Sequence, residues 1–333
     1  MLVAAAPSEA LAVIGAMRAV ATADGCDALT PADAASLAAV WRHVLGHAEA
    51  LAPERVPRDR AAIVAALRGR LAAEFALRFC AVSALVDGKI DAAKIAVVDA
   101  FASELGLATD YVPELDATVE GRWSWVIAEM LRRNVASIRG LKWDPAHVDE
   151  IFLPYDKGRT DPGLTARYRA LEKLPAGTLG RTFYEHYHVN GYALPGEAHA
   201  LNERFATPHD STHVLSGYST SAQGELLVST FTGAMHKIEG MAGHILPVIY
   251  SWHLGVRFSN VVDPAVGALD PEKFWVAWAR GHATAFDVFG PEYDFWAVVE
   301  TPLEELRARY AIAPLEAPYA AAGDRVSDRE PAK

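Results

Sequence analysis

Apolar positions recur every three to four residues through most of the first hundred residues, the period of a helix with one buried face. Residues 10–23 read as the first helix. Thr30-Pro31-Ala32-Asp33 opens the second: a threonine cap, a proline where no N–H is needed, and an acid at the positive end. Leu37, Val40, Trp41, Val44 and Leu45 continue its stripe to Gly46. After a polar, proline-containing connection, one long helix is expected over residues 61–86, with Val64, Leu67, Leu71, Phe75, Phe79 and Val82 on one face. Asp87-Gly88 ends it. Asp91 then caps a helix carrying Ile95, Val98, Phe101 and Leu105 as far as Gly106. Sustained period-two alternation is absent, so no sheet is expected. The fold class is all-α, with two helical domains.

Residues 1–110 make the first domain, 111–150 a connector with one helix over 122–139, and 151–315 the second domain. The small, charged, proline-containing tail, 316–333, has the composition of a disordered segment. Within the second domain, helices are expected over 165–171, over 178–190 closing on Asn190-Gly191, and from His209, with Pro208 in the first turn, to Gly217. Ser219-Thr220-Ser221 offers a cap for the next, a long helical region over 225–253 kinked at Pro247. Residues 271–288 and 302–310 complete the set. Gly233, Ala234, Gly240 and Gly243 either let helices pack closely or leave room for an apolar ligand.

The chain has 333 residues, is 51% hydrophobic and carries a formal net charge of −11. Both halves are acidic, which argues against a nucleic-acid partner. Two cysteines, Cys26 and Cys80, cannot build a disulfide framework, and both sit in apolar sequence that suits buried thiols. No basic n-region precedes the apolar start, so neither a secretory nor an Arg-rich transit signal is expected. The most membrane-like stretch, residues 238–252, is too short to span a bilayer. A cytoplasmic protein follows, lying at most on the inner face of the cytoplasmic membrane, and the alanine-rich composition suits a GC-rich bacterial source.

The chemistry concentrates at His209-Asp210-Ser211-Thr212-His213. Histidines four apart share a helix face and can reach one divalent cation. Asp210 adds a carboxylate, and a short turn between antiparallel helices would return Glu225 to the same place. Two imidazoles beside two hard carboxylate oxygens suit a divalent metal such as iron, manganese or cobalt. His186 and His188 are two apart, diverge on a helix and read as surface or hydrogen-bonded groups. His236 and His244 read as packing or pocket polar groups.

HDSTHVLSGYSTSAQGE, from His209 to Glu225, resembles the His-Asp-x-x-His-x11-Glu signature of the coenzyme Q biosynthesis protein 4 family. Leu174-Pro175-Ala176-Gly177-Thr178-Leu179-Gly180-Arg181 is similar to that family's LP-x-GTLG segment. Trp296 with Pro302-Leu303-Glu304-Glu305-Leu306-Arg307 is similar to its C-terminal W…PLEEVR stretch. Ser211-Thr212 stands where the family usually has bulky apolar residues. The resemblance implies a role in ubiquinone biosynthesis: removal of the ring carboxyl of a polyprenylated precursor and its replacement by hydroxyl. It also implies zinc held by His209, Asp210, His213 and Glu225, contact with a membrane surface and association with other quinone-biosynthesis proteins; a homodimer is compatible with it. Catalytic side chains beyond the metal ligands are not assigned. The alternative is a non-catalytic prenyl-lipid scaffold with a structural metal; an HD-type phosphohydrolase and a zinc peptidase rank behind. An apolar groove beside the metal is expected, floored by residues 225–253 and closed by Trp275 and Trp278.

In the first half, Ala21-Thr22-Ala23-Asp24-Gly25 and Ala84-Leu85-Val86-Asp87-Gly88 share the pattern A-x-x-D-G. This resembles the duplicated TerB-like tellurite-resistance helical domain, some members of which hold a divalent metal on acids matching Asp24 and Asp87. The competing reading of each is a helix-ending turn in which Asp bonds backbone and Gly takes positive φ.

Overall fold

The computed structural model describes residues 6–258 and 263–321. Among these the fold is all-α: sixteen α-helices and no strand. The chain begins with α1 (Pro7–Ala21), α2 (Pro31–Ala39), α3 (Arg60–Leu67), α4 (Leu71–Ser83), α5 (Ala92–Leu105), α6 (Val112–Val119) and α7 (Trp123–Ser137). It continues through α8 (Val148–Phe152), α9 (Pro162–Arg169), α10 (Leu179–Asn190), α11 (Glu203–Ser216) and α12 (Ala222–Met235). Then come α13 (Leu246–Trp252), α14 (Pro271–Ala283), α15 (Phe295–Val298) and α16 (Leu303–Arg309).

The helix starts follow local chemistry. Thr30 caps α2, its hydroxyl accepting from the Asp33 N–H while the Asp33 carboxylate accepts from the Thr30 N–H at 2.9 Å. Asp91 caps α5, and Gly106 ends it in the left-handed conformation, φ 70°. Gly191 and Gly217 end α10 and α11 in the same way.

Several expected helices are broken. Residues 61–86 form α3 and α4, separated where Gly69 takes φ +70°. The stripe after α2 continues as a π-helical turn, Val40–Val44. Residues 111–150 hold the eight-residue α6, the fifteen-residue α7 and the start of α8. Pro208 lies inside α11, which Asn202 caps six residues earlier. The region 225–253 is three pieces: α12 ends at Met235, Glu239 takes φ 53°, a π-helical turn covers Gly240–Ile245, and Pro247 opens α13. Cys26 is exposed, whereas Cys80 is buried. The expected tail lies outside the described residues from residue 322 onward.

The helices gather into two compact units whose limits differ from the expected 1–110, 111–150 and 151–315. The first unit combines residues up to Met130 with Ile245–Ala279; the second holds Leu131–His244 and Arg280 onward. Side-chain packing explains why 245–279 joins the first unit. Phe79 of α4 sits edge-on to Trp275 and Trp278 of α14, with ring centroids 4.8 and 5.0 Å away. The Trp275 indole N–H donates to Ser36 Oγ at 2.8 Å, so the buried ring leaves no orphan donor. His253 donates through Nε2 to the Val86 carbonyl at 3.1 Å, beside the Asp87-Gly88 turn. α1 forms the centre of this unit, packing against α3, α4 and α5.

The A-x-x-D-G acids end helices and meet protein cations. Asp24 pairs with Arg60 at 2.6 Å. Asp87 pairs with the buried Lys94 at 2.9 Å, and Asp33 approaches the same ammonium at 3.5 Å.

In the second unit α10 packs against α11, and α11 against α12 and α16. Gly180 marks a close approach: a Cβ there would meet Leu174 Cδ1 at 2.7 Å and Val299 Cβ at 3.0 Å. Backbone bonds tie the start of α10 to the segment before α16, with Leu179 N–H donating to Thr301 O at 3.0 Å and Leu303 N–H to Gly177 O at 2.8 Å. Arg307 of α16 then donates to the last carbonyls of α11, Leu215 and Val214, both at 2.9 Å. Arg280 adds a bond to the Ser216 carbonyl at 2.9 Å. Guanidinium groups at a helix C-terminus satisfy unpaired carbonyls and offset the negative dipole end. The three sequence blocks around residues 174–181, 209–225 and 302–307 are thus one bonded framework.

Candidate metal centre

α11 presents His209, Asp210 and His213, and α12 returns Glu225 to them. Gly217 stops α11, and Ser221 caps α12 by accepting from the Gly224 N–H at 3.1 Å. The turn between is pinned: Thr220 donates to Asn190 Oδ1 at 2.9 Å, and His213 Nδ1–H donates to the Tyr218 carbonyl at 3.0 Å. A carbonyl only accepts, so that bond places a proton on Nδ1 and turns Nε2 toward the site.

The resulting geometry is a small triangle. His209 Nε2 and His213 Nε2 are 3.2 Å apart, and each lies 3.4 Å from Glu225 Oε2. Ligand atoms ~2.0–2.1 Å from a tetrahedral centre stand about 3.3 Å from one another, so these three atoms already sit as neighbouring ligands of one cation would. Asp210 belongs to the same cluster: one ligand atom each from His209, Asp210 and His213 lie within 4.8 Å of one another. The donor set, two imidazoles and two carboxylates, fits a divalent transition metal. Phe205, one turn before His209, stacks on its ring at 5.2 Å and 14°. His213 is fully buried, while His209 and Glu225 keep 18% and 17% side-chain exposure, so the site opens along their edge.

Electrostatics reflect this crowding. Burial opposes ionisation of Glu225, yet the two histidines hold its carboxyl well below the usual range. Burial likewise opposes charging His213, but Glu225 and then Asp210 outweigh it and push the imidazole up to about 8. Asp210 is held low against burial by His186 and the two site histidines. Its Oδ2 accepts from the Tyr187 hydroxyl at 2.5 Å.

His186, expected to be a surface or hydrogen-bonded group, is buried without a hydrogen bond behind Asp210. The signal was present in the register of α10: Leu179, Phe183, His186 and Tyr187 share its buried face, while His188 points to solvent. His236 and His244 are buried hydrogen-bonded groups. His236 reaches Asp287 at 2.7 Å and the Ser137 carbonyl at 3.1 Å, and His244 reaches Ser137 Oγ at 3.0 Å.

The small residues do not floor the expected groove. A Cβ on Gly240 would meet the Gly233 carbonyl at 2.4 Å, so these glycines serve close backbone packing. Trp275 and Trp278 belong to the core of the first unit. An open cleft of about 670 Å³ runs along Thr160, Arg169, Lys173 and Glu197 and shares no residue with the His209–Glu225 cluster. No described helix is long and apolar enough to cross a membrane.

No protein-family model matches the chain, and no curated protein matches it either.

Proposed function

We propose that the second unit binds one divalent cation through His209, Asp210, His213 and Glu225 and uses it on the carboxylate-bearing phenolic ring of a polyprenylated quinone precursor, in ubiquinone biosynthesis. The observation that carries the reading is the Nε2–Nε2–Oε2 triangle, with edges of 3.2, 3.4 and 3.4 Å, built from residues at the spacing of the resembled family. When bound, the cation supplies Lewis acidity toward a phenolate or carboxylate oxygen and toward the charge that develops as the carboxyl leaves.

The side chains divide the work. His213, fixed by Tyr218, aims Nε2 at the ion and gives up the Nε2 proton as the ion binds. Glu225 and Asp210 balance the cation's charge. Phe205 shields one face of His209, and the partly exposed His209–Glu225 edge admits the ring. Replacing carboxyl by hydroxyl is a two-electron oxidation; with dioxygen as the proposed oxidant, the carboxylated ring, dioxygen and water would give the hydroxylated ring, carbon dioxide and hydrogen peroxide. Iron, manganese or cobalt suits activation of that oxidant at the site, whereas redox-inert zinc suits loss of the carboxyl alone. Contact with a membrane surface, where such precursors reside, and with other quinone-biosynthesis proteins belongs to the same proposal.

The test is elemental analysis of the native protein, turnover of a short-chain prenylated hydroxybenzoate, and the same measurements on His213→Ala. One metal per chain, lost in the variant with helical circular dichroism retained, is expected. Full occupancy in His213→Ala overturns the ligand assignment. Metal binding without turnover favours the scaffold reading.

A further inference from the structure

We infer that His186 is a positioning residue of the cation site, holding the Asp210 carboxylate in the orientation that faces the ion. The inference rests on the metal reading above and deepens it. His186 is fully buried, and neither ring nitrogen makes a hydrogen bond. Its Nε2 lies 3.7 Å from Asp210 Oδ1, and its ring stacks on His213 with centroids 5.5 Å apart at 26°. The neighbouring Tyr187 already donates to the other oxygen, Oδ2. Two consecutive residues of α10 therefore address the two oxygens of one carboxylate on α11.

A buried imidazole without a hydrogen bond is unfavourable for the fold alone. The face of α10 that carries it is otherwise filled by Leu179, Phe183 and Tyr187, and an apolar residue would pack there without an orphan nitrogen. The geometry supplies a reason for histidine. Less than ~1 Å of side-chain movement brings Nε2 within ordinary hydrogen-bond length of Oδ1. Each Asp210 oxygen then accepts one bond from α10 and keeps a second lone pair for the cation. Outer partners that orient metal-ligating groups in this way commonly change affinity by about 10–100-fold when removed.

The experiment uses the full chain, stripped of metal and titrated with Zn(II) and Co(II) against a chromophoric chelator, alongside urea unfolding of the metal-free protein. His186→Leu should keep or raise metal-free stability, bind both ions about 10–100-fold more weakly and shift the visible Co(II) bands. His186→Gln, whose amide N–H falls near the position of Nε2, should stay close to wild type. His186→Asn, whose amide falls near Nδ1, should resemble His186→Leu, and this Gln–Asn pair decides the matter if the leucine variant does not fold. Wild-type affinity in His186→Leu and His186→Asn overturns the inference alone. Equal losses in the Gln and Asn variants also overturn it, because packing then explains both. A wild-type chain that binds neither ion overturns the metal reading, and this inference with it.

Discussion

Acid should loosen the second unit through His244. The Ser137 hydroxyl gives its proton to the Asn134 carbonyl at 2.7 Å, so toward His244 Nε2, 3.0 Å away, it can only accept. The ring is therefore a neutral Nε2–H donor. Burial pushes its pKa down, helped by His236 and His209, from the ordinary 6.5 to about 3. In the unfolded chain it titrates normally, so between pH 6.5 and 3 the unfolded state binds the extra proton. Its stabilising contribution is complete above 6.5 and is lost as pH falls. One unit of pH is ~1.4 kcal/mol, so moving from pH 6.5 to 5 removes about 2 kcal/mol, a large share of a typical ~5–15 kcal/mol. Urea unfolding at pH 8, 6.5 and 5 measures this against His244→Gln, whose amide can still donate to Ser137 but does not titrate. The wild type should lose about 2 kcal/mol relative to the variant between pH 6.5 and 5. Parallel stability curves from pH 8 to 5 would refute the reasoning.

Other perturbations read out other parts of the structure. Lys94→Ala leaves the Asp33 and Asp87 carboxylates without their shared cation and should cost ~3–5 kcal/mol by chemical denaturation; a loss under ~1 kcal/mol would show that water replaces the ammonium. Gly240→Leu drives a side chain into the Gly233 carbonyl and should cost ~1–3 kcal/mol or more; an unchanged melting temperature would reopen the groove. Asp99, raised to about 7 by burial and by its contact with Asp116, favours its protonated form in the folded state. Stability should therefore fall as pH rises from about 4 toward 7. Asp99→Asn should stabilise the protein at pH 8 and change little at pH 4, and equal effects at both would count against the shared proton.

Features fixed by neighbours in sequence were legible, and those fixed by distant partners were not. The Thr30–Asp33 box, the Asp91 cap, the left-handed glycines 106, 191 and 217, and the Ser221 cap all follow from chemistry within a few residues. The turn that brings Glu225 to the histidines is of this kind, which is why their approach is legible in the spacing. Gly69 is a local signal too, but the apolar stripe that runs on across it from Leu67 to Leu71 masks the break. The break after Met235 has no proline and falls on His236-Lys237-Ile238-Glu239; Glu239, at positive φ, pairs with Arg133 at 3.2 Å, more than a hundred positions away. The return of 245–279 to the first unit depends on Phe79, Ser36 and Val86. His186 lay between these cases: its burial follows from periodicity, but its neighbour Asp210 belongs to another helix.

The pinned turn between α11 and α12 bears on which ions the proposed site would admit and how fast they would exchange. Thr220, Tyr218 and Ser221 are each bonded, and Arg280 and Arg307 hold the end of α11 just before them. These bonds resist widening of the His209–His213–Glu225 triangle by loop movement. Calcium, which needs six to eight oxygens at ~2.3–2.6 Å, is too large and too hard for a fixed triangle with two nitrogens, whereas first-row transition ions match its span. Capture of the proposed ion would then require no folding step, unlike in domains that order only around their metal. Uptake should follow water loss from the ion and loss of the His213 proton, which is held up to about pH 8, and release should follow breaking of the ligand bonds themselves.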